Sequence, residues 1–348
     1  MGADPTVWIL WRRRKGDLDQ MLSLVQALGW RYEIKKLAFR LPDIPALAGM
    51  LLKPESDPLI PPWPDIILCA EALPSSMARR LKAKSHGAIK TVCVGRPAGT
   101  PSAFDLVITT AQYRLPPAAN IVELSLPLIS PRVNQTGAPD ARAMKQPLIA
   151  LLVGGSSFPD ILDIPAAREM LQRVHRNTEH RGGALVAAAS PRTSEEVAGF
   201  LARNTPAPHI FQAFRAGGDT YPQTLASAGE FIVTSDSVSM TADALGTGKP
   251  VSIYPLPQKL NLQWRLGEWL YDRAVIQRAG WLAPMRWLFD QGVIESSADR
   301  RLLFSKLVGE RRLNWFGEAP PNPQDGTSRP DLQKAVERVQ GLINSQEQ

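Results

Sequence analysis

Cysteine and histidine are scarce in this chain, at two and four of 348 residues. With no CxxC pair and no cysteine-histidine cluster, neither a disulfide framework nor a structural zinc site is expected. Cys69 and Cys93 each lie inside an apolar run, DIILCAE and KTVCVGR, which predicts reduced thiols buried in a core. Long apolar stretches are also missing: none approaches the roughly 20 residues that span a bilayer. Met1 to Leu10 is too short, and too polar at Asp4-Pro5, for a signal peptide. These absences predict a cytoplasmic protein, with peripheral attachment to the inner membrane as an accompanying expectation. There is no finger, homeodomain or RNP motif, and the basic residues are scattered, which argues against nucleic acid as a partner. No DxD stands at a strand end, so no metal site is expected.

What is present is a globular composition, 44% hydrophobic and 21% charged, with a formal net charge of +7. That surplus favours an anionic partner, either a nucleotide or an anionic lipid surface. At 348 residues the chain exceeds one ordinary core, so two domains are expected.

Apolar runs at 7–11, 65–70, 89–94 and 106–109, and an alternating one at 32–39, read as strands. Helical spacing at 18–28 and 76–84 falls between them. A further strand at 121–126 closes a first domain, residues 1–130. The polar, proline-broken stretch from Ile129 to Gln146 reads as a linker, placed at 131–147. Strands and helices then alternate again from Leu148, which predicts a second domain over 148–327. The sequence 260–290 is helical in composition and carries Trp264, Trp269, Trp281 and Trp287 among arginines, a stripe suited either to packing or to a bilayer interface. Ser328 with Asp331 makes a capping-box-like start to a last helix over 328–348 that is expected to cross back to the first domain. The fold class is therefore α/β, with two Rossmann-like domains facing across a cleft.

Two strand-end loops of the second domain carry the chemistry. In EFIVTSDSVSMTADALGTGKPV, a strand ends at Thr234, a polar loop follows, and a helix starts near Ser239. Free backbone N–H groups, the helix dipole and the hydroxyls of Ser235, Ser237 and Ser239 suit a phosphate there. Asp243, two turns on, stands where a carboxylate would accept from a ribose. The simpler use of Ser235 and Asp236 is helix capping. In PLIALLVGGSS a buried strand opens into Gly154-Gly155-Ser156-Ser157, where glycines would allow a ligand close to the backbone.

The stretches VTSDSVSMTADALGTGKPV, LLVGGSS and KGDLDQMLSLVQALG together resemble the mitochondrial fission ELM-one family of bacterial and plant proteins, which in turn looks like a branch of the GT-B glycosyltransferases. The resemblance runs from Val7 to about Phe316. It implies a GT-B fold and a nucleotide-diphosphate sugar as substrate, with no further cofactor. The implied donor side is Gly154, Gly155, Ser156, Arg192, Phe214, Ser235, Asp236, Ser237, Ser239 and Asp243. Asp243 takes the place of the ribose-binding glutamate of the peptidoglycan N-acetylglucosaminyl transferases, one methylene shorter.

Metal-independent glycosyl transfer needs a stabilised leaving diphosphate and a base for the acceptor hydroxyl. Many GT-B enzymes carry a histidine after a glycine in the N-terminal loop, but here Gly16 is followed by Asp17. Asp17 and Asp19 are thus the candidate bases, with Glu71 third, and helix N-capping is the alternative role for Asp17. The acceptor is unspecified, with a lipid-linked or cell-envelope glycan as the expected class. Two other readings stay open: a non-catalytic GT-B-like nucleotide-binding or membrane-associated scaffold, and a sugar-nucleotide epimerase.

Overall fold

The computed structural model of the chain describes residues 4–40, 51–128, 147–205, 209–215, 220–290, 298–318 and 330–344. In chain order the first elements are β1 (Thr6–Trp11), α1 (Lys15–Leu28), β2 (Arg31–Lys36), β3 (Ile66–Cys69), α2 (Ala72–Lys84), β4 (Lys90–Val94), β5 (Leu106–Thr110) and β6 (Ile121–Leu124). They are followed by β7 (Leu148–Val153), α3 (Ile164–His180), β8 (Ala184–Ala189), α4 (Glu195–Asn204), β9 (Ile210–Gln212), α5 (Thr220–Ser227), β10 (Glu230–Thr234), α6 (Val238–Leu245) and β11 (Val251–Tyr254). The chain ends with α7 (Leu262–Tyr271), α8 (Ala283–Asp290), α9 (Arg300–Gly309), β12 (Asn314–Trp315) and α10 (Pro330–Asn344).

The strands form two parallel six-stranded sheets, ordered β2-β1-β3-β4-β5-β6 and β12-β11-β10-β7-β8-β9. Counted within its own sheet, the second order is that of dinucleotide-binding Rossmann sheets, with its topological switch point between β7 and β10. In the first sheet the order reverses between β1 and β3. Ligands of open parallel sheets bind beyond the carboxyl ends of the strands at such points.

Both faces of the first sheet are covered, which explains why its strands read as continuous apolar runs. Val7, Ile9, Ile66 and Leu68 pack with Leu24 and Val25 of α1 and Ala335 and Val339 of α10. Their neighbours Trp8, Leu10, Ile67 and Cys69 face the other way, toward Leu73, Met77 and Leu81 of α2. In the second sheet Ile149, Leu151 and Val153 share a core with Met170 and Val174 of α3 and Leu201 of α4. Both cysteines are free and buried.

The chain forms two compact units, of which the first comprises Met1–Ser130, Leu262–Asp299 and Arg329–Gln348, and the second Pro131–Asn261 and Arg300–Ser328. This division differs from the sequence plan, which kept 148–327 together. The physical cause is a small core of Tyr271, Ala274, Leu282 and Phe289, tied to the first unit by Arg114. The Arg114 guanidinium donates to Glu268 at 2.5 Å and to Asp272 at 2.9 Å, and the Tyr271 hydroxyl donates to the Arg114 carbonyl. The expected single helix over 260–290 is broken by a π-turn at Asp272–Ile276 and a 3-10 turn at Gly280–Leu282. Apart from Pro147, the expected linker lies outside the described residues, as does Ser328. The Asp331 carboxylate accepts from the Ser125 and Leu126 amides and so docks α10 within the first unit.

Leu24 is wholly buried where α1 meets the first sheet. Leu24→Ala is expected to lower unfolding stability by about 2–5 kcal/mol, read from the denaturant midpoint, with the slope unchanged if the native packing is otherwise kept.

Candidate functional site

At the switch point of the second sheet, the loops after β7 and β10 are joined by one buried carboxylate. Asp236 accepts from the Gly155 amide at 2.9 Å through Oδ2 and from the Thr234 hydroxyl at 2.7 Å through Oδ1. The Gly154 amide donates to Thr234 Oγ1 at 2.8 Å. Arg192 Nη2 pairs with Asp236 Oδ2 at 2.8 Å. Burial pushes the Asp236 carboxyl above the usual carboxylate range, and Arg192, Thr234 and the Gly155 amide pull against it.

The two glycines are required by the protein's own packing. A Cβ on Gly154 would stand 2.2 Å from Asp236 Oδ2, and one on Gly155 would stand 2.0 Å from the Arg192 carbonyl oxygen. Their amides are already engaged, that of Gly154 by Thr234 and that of Gly155 by Asp236. Ser156 is likewise occupied: its hydroxyl donates to the Leu162 carbonyl and accepts from the Leu162 amide. Ser235 accepts from the Leu256 amide and fixes the loop after β11.

What remains for a ligand lies at the start of α6. The N–H groups of a first helical turn have no carbonyl partner within the helix, and here they sit at the sheet's carboxyl edge. Ser237 is the N-cap residue, yet its side chain caps nothing. Its hydroxyl is buried and has no hydrogen-bond partner among the described residues. Ser239, in the same turn, is exposed. The Arg192 side chain is 44% exposed, so donors of its five-N–H fork remain beyond the one facing Asp236. Asp243 is buried and accepts from the Tyr221 hydroxyl at 3.0 Å, a partner that the sequence did not reveal. Phe214, after β9, is exposed.

The first unit gathers a second group at its own switch point. Asp17 lies in the first turn of α1, but Arg14 holds the N-cap position, so Asp17 is not the cap. Glu71, at the N-cap of α2, has a positive φ of 63° and a side chain 3.6 Å from Arg14. Burial, and then the charge of Glu71, raise the Asp17 carboxyl to about 6, against the pull of Arg14. Asp17 lines a cavity of ≈ 30 Å³ together with Thr109, Thr110, Gln112 and Tyr113. The Thr109 and Thr110 hydroxyls are buried without a hydrogen-bond partner among the described residues. Burial and then the Asp17 charge push the Tyr113 hydroxyl up to about 12, so it stays a donor at neutral pH. Asp19, two positions on, is turned away from Asp17 by helix geometry and does not line this cavity.

Among the described residues one His/Glu group brings ligand atoms within 4.8 Å: His175, Glu179 and His209. His209 Nδ1 accepts from the Leu185 amide, which leaves Nε2 carrying the proton and without a lone pair for a metal.

A family model described as mitochondrial fission ELM1 matches residues 15–287, more than three quarters of the chain. The chain belongs to this family. No curated protein matches it by sequence. Solved structures similar to it include a putative UDP-N-acetylglucosamine 2-epimerase from Listeria monocytogenes, 13% identical over 89% of this chain and 96% of that one, with a TM-score of 0.48. MurG from Acinetobacter baumannii is 16% identical over 97% of this chain and 100% of its own, with a TM-score of 0.44. The UDP-GlcNAc 2-epimerase of Methanocaldococcus jannaschii is 11% identical over 97% and 99%, with a TM-score of 0.47. None of the three reaches a TM-score of 0.5, and the site of this family member is interpreted from its own residues.

Thr234, Thr193, Tyr221, Tyr113, Thr109 and Thr110 were not singled out from sequence. The one local signal is a threonine closing each of the strands β5 and β10. Thr193 bonds back to the Val153 and Gly154 carbonyls across 40 and 39 positions, which no local pattern announces.

A raised carboxyl pKa is a stability statement with a definite sign. In the folded chain Asp17 resists ionising, so its charge costs stability as pH rises from the unfolded value near 3.8 toward about 6. Asp17→Asn is therefore expected to stabilise the protein by about 1–3 kcal/mol at pH 7.5. The gain should vanish below the unfolded value, where both states carry the proton. Thermal melts of the two proteins across pH measure this.

Proposed function

We propose that this protein binds a nucleoside diphosphate sugar at the start of α6 and transfers the sugar without a metal ion. The observation that carries the reading is the buried Ser237 hydroxyl, without a partner among the described residues, at a helix N-terminus on the switch point of a Rossmann-ordered sheet. A helix N-terminus there favours a diphosphate, and a buried hydroxyl at the N-cap position supplies a further donor. Ser239 and the exposed part of Arg192 complete the phosphate side. Asp236 does not oppose the anion with a full charge, because Arg192 pairs with it. Asp243, with Tyr221, takes the ribose.

In the reaction the acceptor oxygen bonds to the anomeric carbon as the bond from that carbon to the diphosphate oxygen breaks, and the acceptor hydroxyl's proton needs a base, the role for which the Asp17 carboxylate of the first unit is suited by its own surroundings. The electron pair leaves on the diphosphate, whose charge the α6 N-terminus, Ser237 and Arg192 stabilise. A carboxylate near 6 suits a base that works close to neutrality. The cavity walled by Thr109, Thr110 and Tyr113 has room for one water-sized group, so it admits the acceptor's hydroxyl tip and not a whole sugar ring. The engagement of both glycine amides by protein favours a second reading, a nucleotide-binding family member without turnover. Assay of the sugar product separates the two, and also reports an epimerised sugar if one forms.

Millimolar UDP, GDP, ADP, CDP or TDP is expected to raise the melting temperature in a concentration-dependent way for at least one base. Ser237→Ala and Asp243→Ala should each weaken that nucleotide by about tenfold or more, whereas Asp17→Asn leaves it unchanged. No shift with any of the five would overturn the site.

Turnover, followed as nucleoside diphosphate release, is expected to survive EDTA and to rise with pH through about 6. Asp17→Asn should lower kcat by about 10²–10⁴ and remove the acidic limb. Loss of turnover in EDTA, or normal turnover in Asp17→Asn, would contradict the mechanism.

A further inference from the structure

The segment Leu262–Asp290 has two features that nucleotide chemistry leaves unused. The first is its outer surface. Leu262, Leu266 and Trp269 follow one another at i, i+4 and i+7 on α7 and are all exposed, Leu262 by 82%. Ile276, Trp281 and Trp287 continue the exposed apolar set, Trp281 by 69%. The rings of Trp269 and Trp281 lie 6.1 Å apart, centroid to centroid. Isolated apolar residues on a surface need no explanation, but six in one short segment, three of them tryptophan, mark a place where a partner is met.

The second feature is a cavity of ≈ 400 Å³ in the same unit, lined by Arg96, Arg278 and Arg286 together with Tyr271, Val275 and Phe289. Among the described residues its single acidic wall residue is Asp290. Arg96 stands over the Tyr271 ring at 5.1 Å. Among the described residues neither Arg278 nor Arg286 has an ion-pair partner. The other acids of the segment, Glu268 and Asp272, are engaged by Arg114. Three guanidinium groups against one carboxylate, above an apolar floor, fit a phosphate that carries an apolar body. Neighbouring positions serve the two features in turn: Val275 lines the cavity and Ile276 is exposed, Arg286 lines it and Trp287 is exposed.

We propose that Leu262–Asp290 docks this protein on an anionic phospholipid bilayer, with the exposed tryptophans in the interface and a lipid phosphate in the Arg96, Arg278 and Arg286 cavity. Tryptophan prefers the headgroup level of a bilayer, where its ring is apolar and its N–H stays wet. Arginines flanking such a surface are drawn to anionic lipid, and Arg265 and Arg273 are exposed on the same segment. No helix among the described residues is long and apolar enough to cross a membrane, so the attachment is to the surface. It does not depend on nucleotide binding.

Co-sedimentation of the full chain with phosphatidylcholine vesicles, with and without about one third phosphatidylglycerol, tests this. The parent should bind only the anionic vesicles, shift its tryptophan emission to the blue, and come off at about 1 M salt. The double variants Trp281→Ala/Trp287→Ala and Arg278→Glu/Arg286→Glu should each lose about tenfold or more in partitioning, with melting temperature and nucleotide response kept. Failure of the parent to bind anionic vesicles overturns the proposal, as does parent-like partitioning of either variant. Displacement of the parent from vesicles by inorganic phosphate alone would assign the cavity to a free anion and also overturn it. A concentration-dependent dimer that the tryptophan variant abolishes, without vesicle binding, would assign the surface to a second copy of the chain.

Discussion

The buried carboxylate of Asp236 is the constraint around which the second unit's switch point is arranged. It takes a backbone N–H from the loop after β7, a hydroxyl from the end of β10 and a guanidinium from the loop after β8. Three strand ends are thereby locked to one group that cannot be exposed to water. An unpaired charge at that depth would be costly, and breaking such a buried set by removing one partner is correspondingly disruptive. The lock also decides what the site has left to offer. The glycine amides are consumed, and the α6 N-terminus with Ser237 is not.

This division of labour shows how far a sequence motif can be taken. LLVGGSS followed by VTSDS resembles a pair of phosphate-approach loops, and both loops do stand at the carboxyl edge of one sheet. The glycines exist for a different reason: their missing side chains make room for Asp236 and for the Arg192 backbone. Spacing along a chain reports which residues lie at a strand end. It does not report which of them face each other across 80 positions, and the use of Gly154 and Gly155 is decided there.

The strands were legible because burial on both faces writes them as unbroken apolar runs, such as Leu148–Val153. Boundaries were less so. The second strand, read as 32–39, ends at Lys36, and α9 and β12 left no periodic signal strong enough to place them. The membership of Leu262–Asp299 was not legible at all, since it depends on Arg114 reaching Glu268 and Asp272 from more than 150 positions away. At the candidate base the residue type was readable and its environment was not. Nothing local to Asp17 announces that burial and the charge of Glu71 lift its pKa, or that Tyr113 lines the same cavity.

The account's central claim is that the α6 N-terminus of this ELM1 family member holds the diphosphate of a nucleotide. Amide hydrogen exchange of the full chain, with and without the nucleoside diphosphate it binds best, examines that claim at the amides themselves. Slowed exchange should concentrate in peptides covering 234–241, where the first-turn N–H groups would gain an acceptor, with little change at the already bonded amides of Gly154 and Gly155. Unchanged exchange over 234–241 in the presence of a nucleotide that demonstrably binds would place the diphosphate elsewhere and contradict the account.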